Sequence, residues 1–233
     1  MSFVIPMVIY MQQHLAQSAN KTVAAQMQSS LSVKQPCYGI STEQRHDIFQ
    51  LAVAHTTIDT ADNYHRLLLW LWSGVYREER YLALDAGEYY QSFINEQAWP
   101  IYTEMLETVD GVDVGDRLVT NLISPVLKQH RQFESDVIAW RDSDNKWLRR
   151  ASLLAQMNHQ TETNVELLCD TILHLADDSE YEVQQAIGLA LRNYSETDFP
   201  FVDQFIKTHF SRLQSQARRE ARKVSMVLSV DSE

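Results

Sequence analysis

The stretch YEVQQAIGLAL, residues 181–191, spaces Val183, Ala186, Ile187, Ala190 and Leu191 three and four residues apart. That spacing gathers all five on one face of an α-helix and leaves the polar side chains on the other. Four more stretches lie under it without gaps: YREERYLAL (76–84), VDVGDRLVTNL (112–122), KWLRRASLL (146–154) and QARREARKVSM (216–226). The alignment brings Arg80, Asp116, Arg150, Gln185 and Glu220 into register at separations of 36, 34, 35 and 35 residues. Such a period belongs to two-helix units, which cannot bury an apolar stripe alone and therefore stack on their neighbours. The expected fold is all-α, an αα superhelix (solenoid) of about six helical pairs. Polar residues at the register position are expected to face the groove of that solenoid or the packing seam beside it.

Composition agrees. Six Gly and five Pro in 233 residues, with 45% hydrophobic residues, argue against turn-rich β-sandwiches and barrels. Apolar residues recur at helical spacing almost everywhere, and strict alternation is nearly absent. Helix starts are expected after Ser41, after Asp62 and at Ser179, which stands three residues before Glu182 as in a capping box. The longest apolar run, LLLWLWSGV at 67–75, falls well short of the roughly 18 residues a membrane span needs. The N-terminal MSFVIPMVIYM has no basic residue before its apolar run and reads poorly as a secretion signal. Cys37 and Cys169 lack CxxC or zinc spacing and suit a reducing, cytoplasmic setting. One domain spanning residues 1–233 accommodates the whole chain.

The formal net charge is -11, which speaks against a polyanionic partner until its distribution is considered. Residues 1–100 carry -3, residues 101–200 carry -10 and residues 201–233 carry +2. RLQSQARREARK, at 212–223, is a basic island on an acidic body, either a solvated helix face or a nucleic-acid contact. Common enzyme signatures are missing: the glycines make neither a GxGxxG turn nor a P-loop, and HExxH does not occur. His14, His55, His130 and His159 are scattered, so no metal and no cofactor is expected.

Four segments occur in a fixed order at the repeat spacing: LWSGVYREERYLAL (71–84), VDGVDVGDRLVTNLISPVL (109–127), AWRDSDNKWLRRASLL (139–154) and VQQAIGLALRNYSETDFPFVDQF (183–205). Together they resemble the DNA alkylation repair family, the AlkD-like DNA glycosylases built from HEAT-like repeats. The resemblance runs over residues 38–227, and the N-terminal helices at 1–37 match poorly. It implies hydrolysis of the N-glycosidic bond of cationic N3- or N7-alkylated purines in duplex DNA. Alkylation at those nitrogens already makes the base a cationic leaving group, so no general acid is needed. A carboxylate near C1′ then stabilises the oxocarbenium-like transition state and orients the attacking water.

In the family that carboxylate ends a Trp-Asp-x-x-Asp pattern, occupied here by Val112, Asp113, Val114, Gly115 and Asp116. The resemblance thus gives Asp116 the catalytic role and leaves Asp113 as a helix N-terminal acid. It gives Arg150 the contact with backbone phosphate, with Arg149 beside it and Arg192 as a further DNA-binding candidate. On the residues alone, Arg150 serves equally well in an Asp-to-Arg ladder between repeats. Three positions depart from the family: Val112 and Leu189 replace lesion-flanking tryptophans, and Gln185 replaces a lysine. Valine and leucine cannot supply the cation–π attraction of an indole, about 0.5–2 kcal/mol per contact. Two other expectations therefore stand beside the enzyme: a non-catalytic binder of damaged, bent or branched DNA, and a protein-interaction solenoid.

Overall fold

A computed structural model describes residues 4–222, and among them every regular element is helical. The chain divides between Leu118 and Val119 into two compact units. The first holds α1 (Val4–Gln17), α2 (Lys21–Leu31), α3 (Thr42–His55), α4 (Ala61–Trp72), α5 (Arg77–Tyr89), α6 (Trp99–Glu107) and α7 (Val112–Leu118). The second holds α8 (Ser124–Gln129), α9 (Glu134–Trp140), α10 (Lys146–Leu154), α11 (Val165–His174), α12 (Tyr181–Ser195), α13 (Phe199–Thr208) and α14 (Ser215–Ala221).

Each unit is a pair of helical layers. In the first, α3 packs on α5 and α5 on α7, while α4 packs on α6, so helices meet the next-but-one along the chain. In the second, α10 packs on α12 and α12 on α14, with α9, α11 and α13 leaning on that row. The helices aligned by sequence, α5, α7, α10, α12 and α14, are the members of these rows. Their contacts repeat the sequence period: Arg77 donates to Asp113 36 residues on, and Arg150 donates to Gln185 35 residues on. The apolar stripes close the cores, with Leu67, Leu71, Leu82, Tyr102 and Leu118 buried in the first unit and Leu154, Ile172, Val183 and Ile187 in the second.

Local chemistry accounts for most helix ends. Ser41 forms a reciprocal capping box with Gln44, as expected. The other two starts need correction. Thr60, not Asp62, caps α4 through Asn63 N–H, and Asp62 instead pairs with Arg66 one turn on. Tyr181 opens α12 after Glu180, whose N–H bonds Asp178 Oδ1 at 2.8 Å, because Glu182 is drawn off by Lys146. A π-helical stretch, Val119–Ile123, precedes Pro125; proline has no N–H and crowds the carbonyl a turn earlier, so the helix widens there. Among the described residues no helix is long and apolar enough to cross a membrane, and the N-terminal apolar run is α1, with Val4, Met7, Val8, Met11 and Leu15 buried. Both cysteines are free thiols.

Where α12 meets α14 the approach demands glycine. A Cβ on Gly188 would lie 2.3 Å from Glu220 Cβ and 2.6 Å from the Ala217 carbonyl oxygen. Gly188→Ala is therefore predicted to destabilise the protein by about 1–3 kcal/mol, even though alanine is the better helix former. Thermal unfolding checks this: a fall in Tm of several degrees is expected, and an unchanged or higher Tm would show that the seam is not tight.

Candidate functional site

The first turn of α5 reads Arg77-Glu78-Glu79, three charged residues that are all buried. Each ties α5 to a different part of the first unit. Glu78 accepts the N–H groups of Tyr38 (2.9 Å), Gly39 (2.8 Å) and Ile40 (3.3 Å), holding the segment that leads into α3. Gly39 is required there, with φ of 79° and a Cβ site only 2.2 Å from the Asn20 carbonyl oxygen. Glu79 accepts from Gln12 of α1 at 2.8 Å and from the Tyr76 N–H at 2.9 Å. Carboxylates at the start of a helix also face the positive end of its dipole.

Arg77 reaches the other way, to α7. Its guanidinium is fully buried and forks onto Asp113, Nε to Oδ2 at 2.9 Å and Nη2 to Oδ1, while Nη1 donates to Asp110. Tyr81, one turn on, donates its hydroxyl to Asp113 Oδ2. Burial pushes the Asp113 carboxyl up, but the Arg77 and Tyr81 hydrogen bonds prevail and hold it below the usual carboxylate range. Arg80 completes the grip, donating to Asp110 and to the Thr108 carbonyl at 3.0 Å each and lying over the Trp72 ring.

Asp113 is thus a structural acid, and α7 starts from a clamped turn. Asp116, half-buried, stands one turn into that helix. Val112 lies four residues before Asp116, on the same face, and is 41% exposed. Gly115 lets α7 lie close to the preceding loop, since a Cβ there would come within 2.8 Å of Val109 Cγ1. Arg117 bonds Glu88 (2.7 Å) and Asp85 (2.7 Å), and Asp85 also takes Arg45 at 2.8 Å. Arg45, Tyr81, Asp113 and Arg117 line a cavity of about 480 Å³ that α2 also borders.

The second unit carries the sequence-predicted arginines. Arg150 is 3% exposed, and its Nη1 donates to the Glu182 carbonyl and to Gln185 Oε1 at 3.2 Å. Arg149 donates to Asp178 at 2.6 Å and to the Ser143 carbonyl at 2.7 Å. Arg192 of α12 donates to Glu220 of α14 at 2.9 Å. Lys146 completes the set, on Glu180 and Glu182. Arg149 on Asp178 is an Asp-to-Arg contact of the kind left open for Arg150, whereas Arg150 itself donates to a backbone carbonyl and an amide oxygen. Gln185 suits it, because an amide oxygen accepts from a guanidinium whereas a lysine has no acceptor to offer. Leu189, half-buried, lies one turn further along α12.

A model of the DNA alkylation repair enzyme family matches residues 11–224. The chain belongs to the DNA alkylation repair enzyme family. Membership ties it to DNA repair, with DNA as substrate or partner. Among solved structures it is similar to one described as a predicted DNA alkylation repair enzyme from Enterococcus faecalis, with 21% identity over 88% of this chain and 95% of that one and a TM-score of 0.78. At that identity the likeness shows a shared all-helical fold. No curated protein matches the chain. In this family member the Asp-x-x-Asp pair is legible in the sequence, whereas its holders, Arg77 and Tyr81, and the Arg45–Asp85–Arg117 chain are not. The available signal was the unbroken REE charge run in a segment otherwise read as an apolar-faced helix.

The clamp predicts an acid-sensitive first unit. A carboxyl whose folded pKa is depressed stabilises the fold above its unfolded value of about 3.9, and that stability is lost as pH falls through the folded value. Arg77→Met strands Asp113 and Asp110 together and is expected to cost about 3 kcal/mol at neutral pH. Denaturant unfolding between pH 7 and pH 3 checks both effects: the difference between wild type and variant should shrink on acidification. A difference that stays constant would exclude Asp113 as the titrating partner.

Proposed function

We propose that the protein is a DNA glycosylase that releases N3- or N7-alkylated purines from duplex DNA. The observation that carries this reading is the clamped start of α7, the helix whose Asp-x-x-Asp pattern ends in Asp116. Asp113 has both oxygens engaged by Arg77 and Tyr81 and so holds the start of α7. Asp116, half-buried one turn later, ends the Asp-x-x-Asp pattern and takes the catalytic role that the family resemblance gives that position. As the C1′–N bond of the cationic nucleotide lengthens, positive charge moves from the base onto the sugar, and the fixed negative charge of Asp116 stabilises it. Water then adds to C1′ and loses a proton, and the base departs neutral. No group has to protonate the leaving base.

In this reading Arg192 takes a backbone phosphate, because a third of its side chain is open (33%). Arg149 and Arg150 hold α10 against α12 and the loop before it. Base excision from a duplex carrying N7-methylguanine tests the proposal. Asp116→Asn, which keeps size and shape, should lower the single-turnover rate by about a hundredfold or more. Equal rates for the variant and the wild type would refute the role of Asp116.

One observation favours a second reading, a DNA-binding relative without catalysis. Val112 is 41% exposed at the place where the family carries a tryptophan against the lesion, so the aromatic wall on α7 is missing. Salt-sensitive binding to damaged duplex with no base release at any enzyme concentration would select this reading.

A further inference from the structure

The first unit holds a larger cavity, about 670 Å³, formed by the start of α1, the end of α4 and the end of α6. Apart from Arg80, its lining residues lie outside the site proposed above. Val4 and Ile5 supply one wall, Trp70 and Trp72 supply aromatic surface, and Arg66 and Arg80 bring positive charge. Its volume lies within the range of pockets that take a single small ligand.

The two indoles are held differently. Trp72 is buried and fixed, its Nε1 donating to Thr108 Oγ1 at 2.8 Å and its face covered by the Arg80 guanidinium at 5.0 Å. Trp70 is 42% exposed and Ile5 43%, a sizeable apolar area left in water at the same opening. The two guanidiniums also differ. Arg80 is engaged by Asp110 and the Thr108 carbonyl, so it backs the wall. Arg66 is 60% exposed, and its pair with Asp62 at 3.1 Å lies in solvent, where such pairs are weak and exchange readily. Glu104 lines the cavity too, and with Arg80 already matched by Asp110 the cation open to a ligand is Arg66. An indole face stacks with an aromatic ring and the exposed Arg66 guanidinium attracts an anion, so an aromatic ring with a negative substituent satisfies both.

We propose that this cavity binds a small planar aromatic anion, its ring against Trp70 and its charge facing Arg66. The probe is 8-anilinonaphthalene-1-sulfonate, titrated into the full chain and followed by its own emission and by quenching of tryptophan. N-phenyl-1-naphthylamine, the same ring system without the sulfonate, is the neutral control. A single saturable site for the sulfonate is expected. Trp70→Ala should weaken both probes by about tenfold, the loss of one stacking contact. Arg66→Gln should weaken the sulfonate by about fivefold or more and leave the neutral probe unchanged, the loss of one charge-assisted contact. Both side chains are exposed, and circular dichroism verifies that each variant is folded. Unsaturable binding, no effect of Trp70→Ala, or equal weakening of both probes by Arg66→Gln would each overturn the proposal.

Discussion

A guanidinium with no solvent access is costly to bury, and Arg77 is tolerated because its donors find charged or polar acceptors: Asp113 twice, Asp110 and Gln35. Removing any one acceptor leaves a buried charge only partly matched. The joint between α5 and α7 therefore draws on all of them, and it holds the start of the short helix that carries Asp116. The two neighbours of Arg77 in sequence extend the same logic, with Glu78 binding the approach to α3 and Glu79 binding α1. One helical turn thereby organises most of the first unit.

The acidic composition makes sense in the same terms. Many of the carboxylates that give residues 101–200 their charge of -10 are acceptors in bonds between successive helical pairs. Asp110 and Asp113 serve Arg77, Asp178 serves Arg149, and Glu180 and Glu182 serve Lys146. Net charge is therefore a poor guide to the surface that meets a partner, since part of it is matched inside the packing seams. The repeat period is what allows this: a cation on one helix recurs opposite an acceptor about 35 residues later, as with Arg150 and Gln185.

Much of this architecture was legible in the residues. The apolar spacing of YEVQQAIGLAL and the near-35-residue register identified the helices that stack, because both follow from burying one face of each helix. The Asp-x-x-Asp pattern located the candidate carboxylates. Helix ends were less legible: Asp62 and Ser179 have good capping chemistry, yet Thr60 caps α4 and a turn at Asp178 leads into α12, where Lys146 takes Glu182. The holders of Asp113 were not legible at all. A run such as REE reads as a solvated face, and only tertiary packing reveals that three different partners converge on it. Arg150 shows the same limit, for a guanidinium serves a phosphate or a carbonyl equally well and the sequence contains only the guanidinium.

The central claim is that the Arg77–Asp113 clamp fixes α7 and so the bearing of Asp116. Amide hydrogen exchange on wild type and Asp113→Asn tests it at the level of single residues. The account predicts that protection falls across Val114–Leu118 while the amides of α10 and α12 keep theirs. Unchanged protection in α7 would contradict it, since the helix would then hold its place without the clamp.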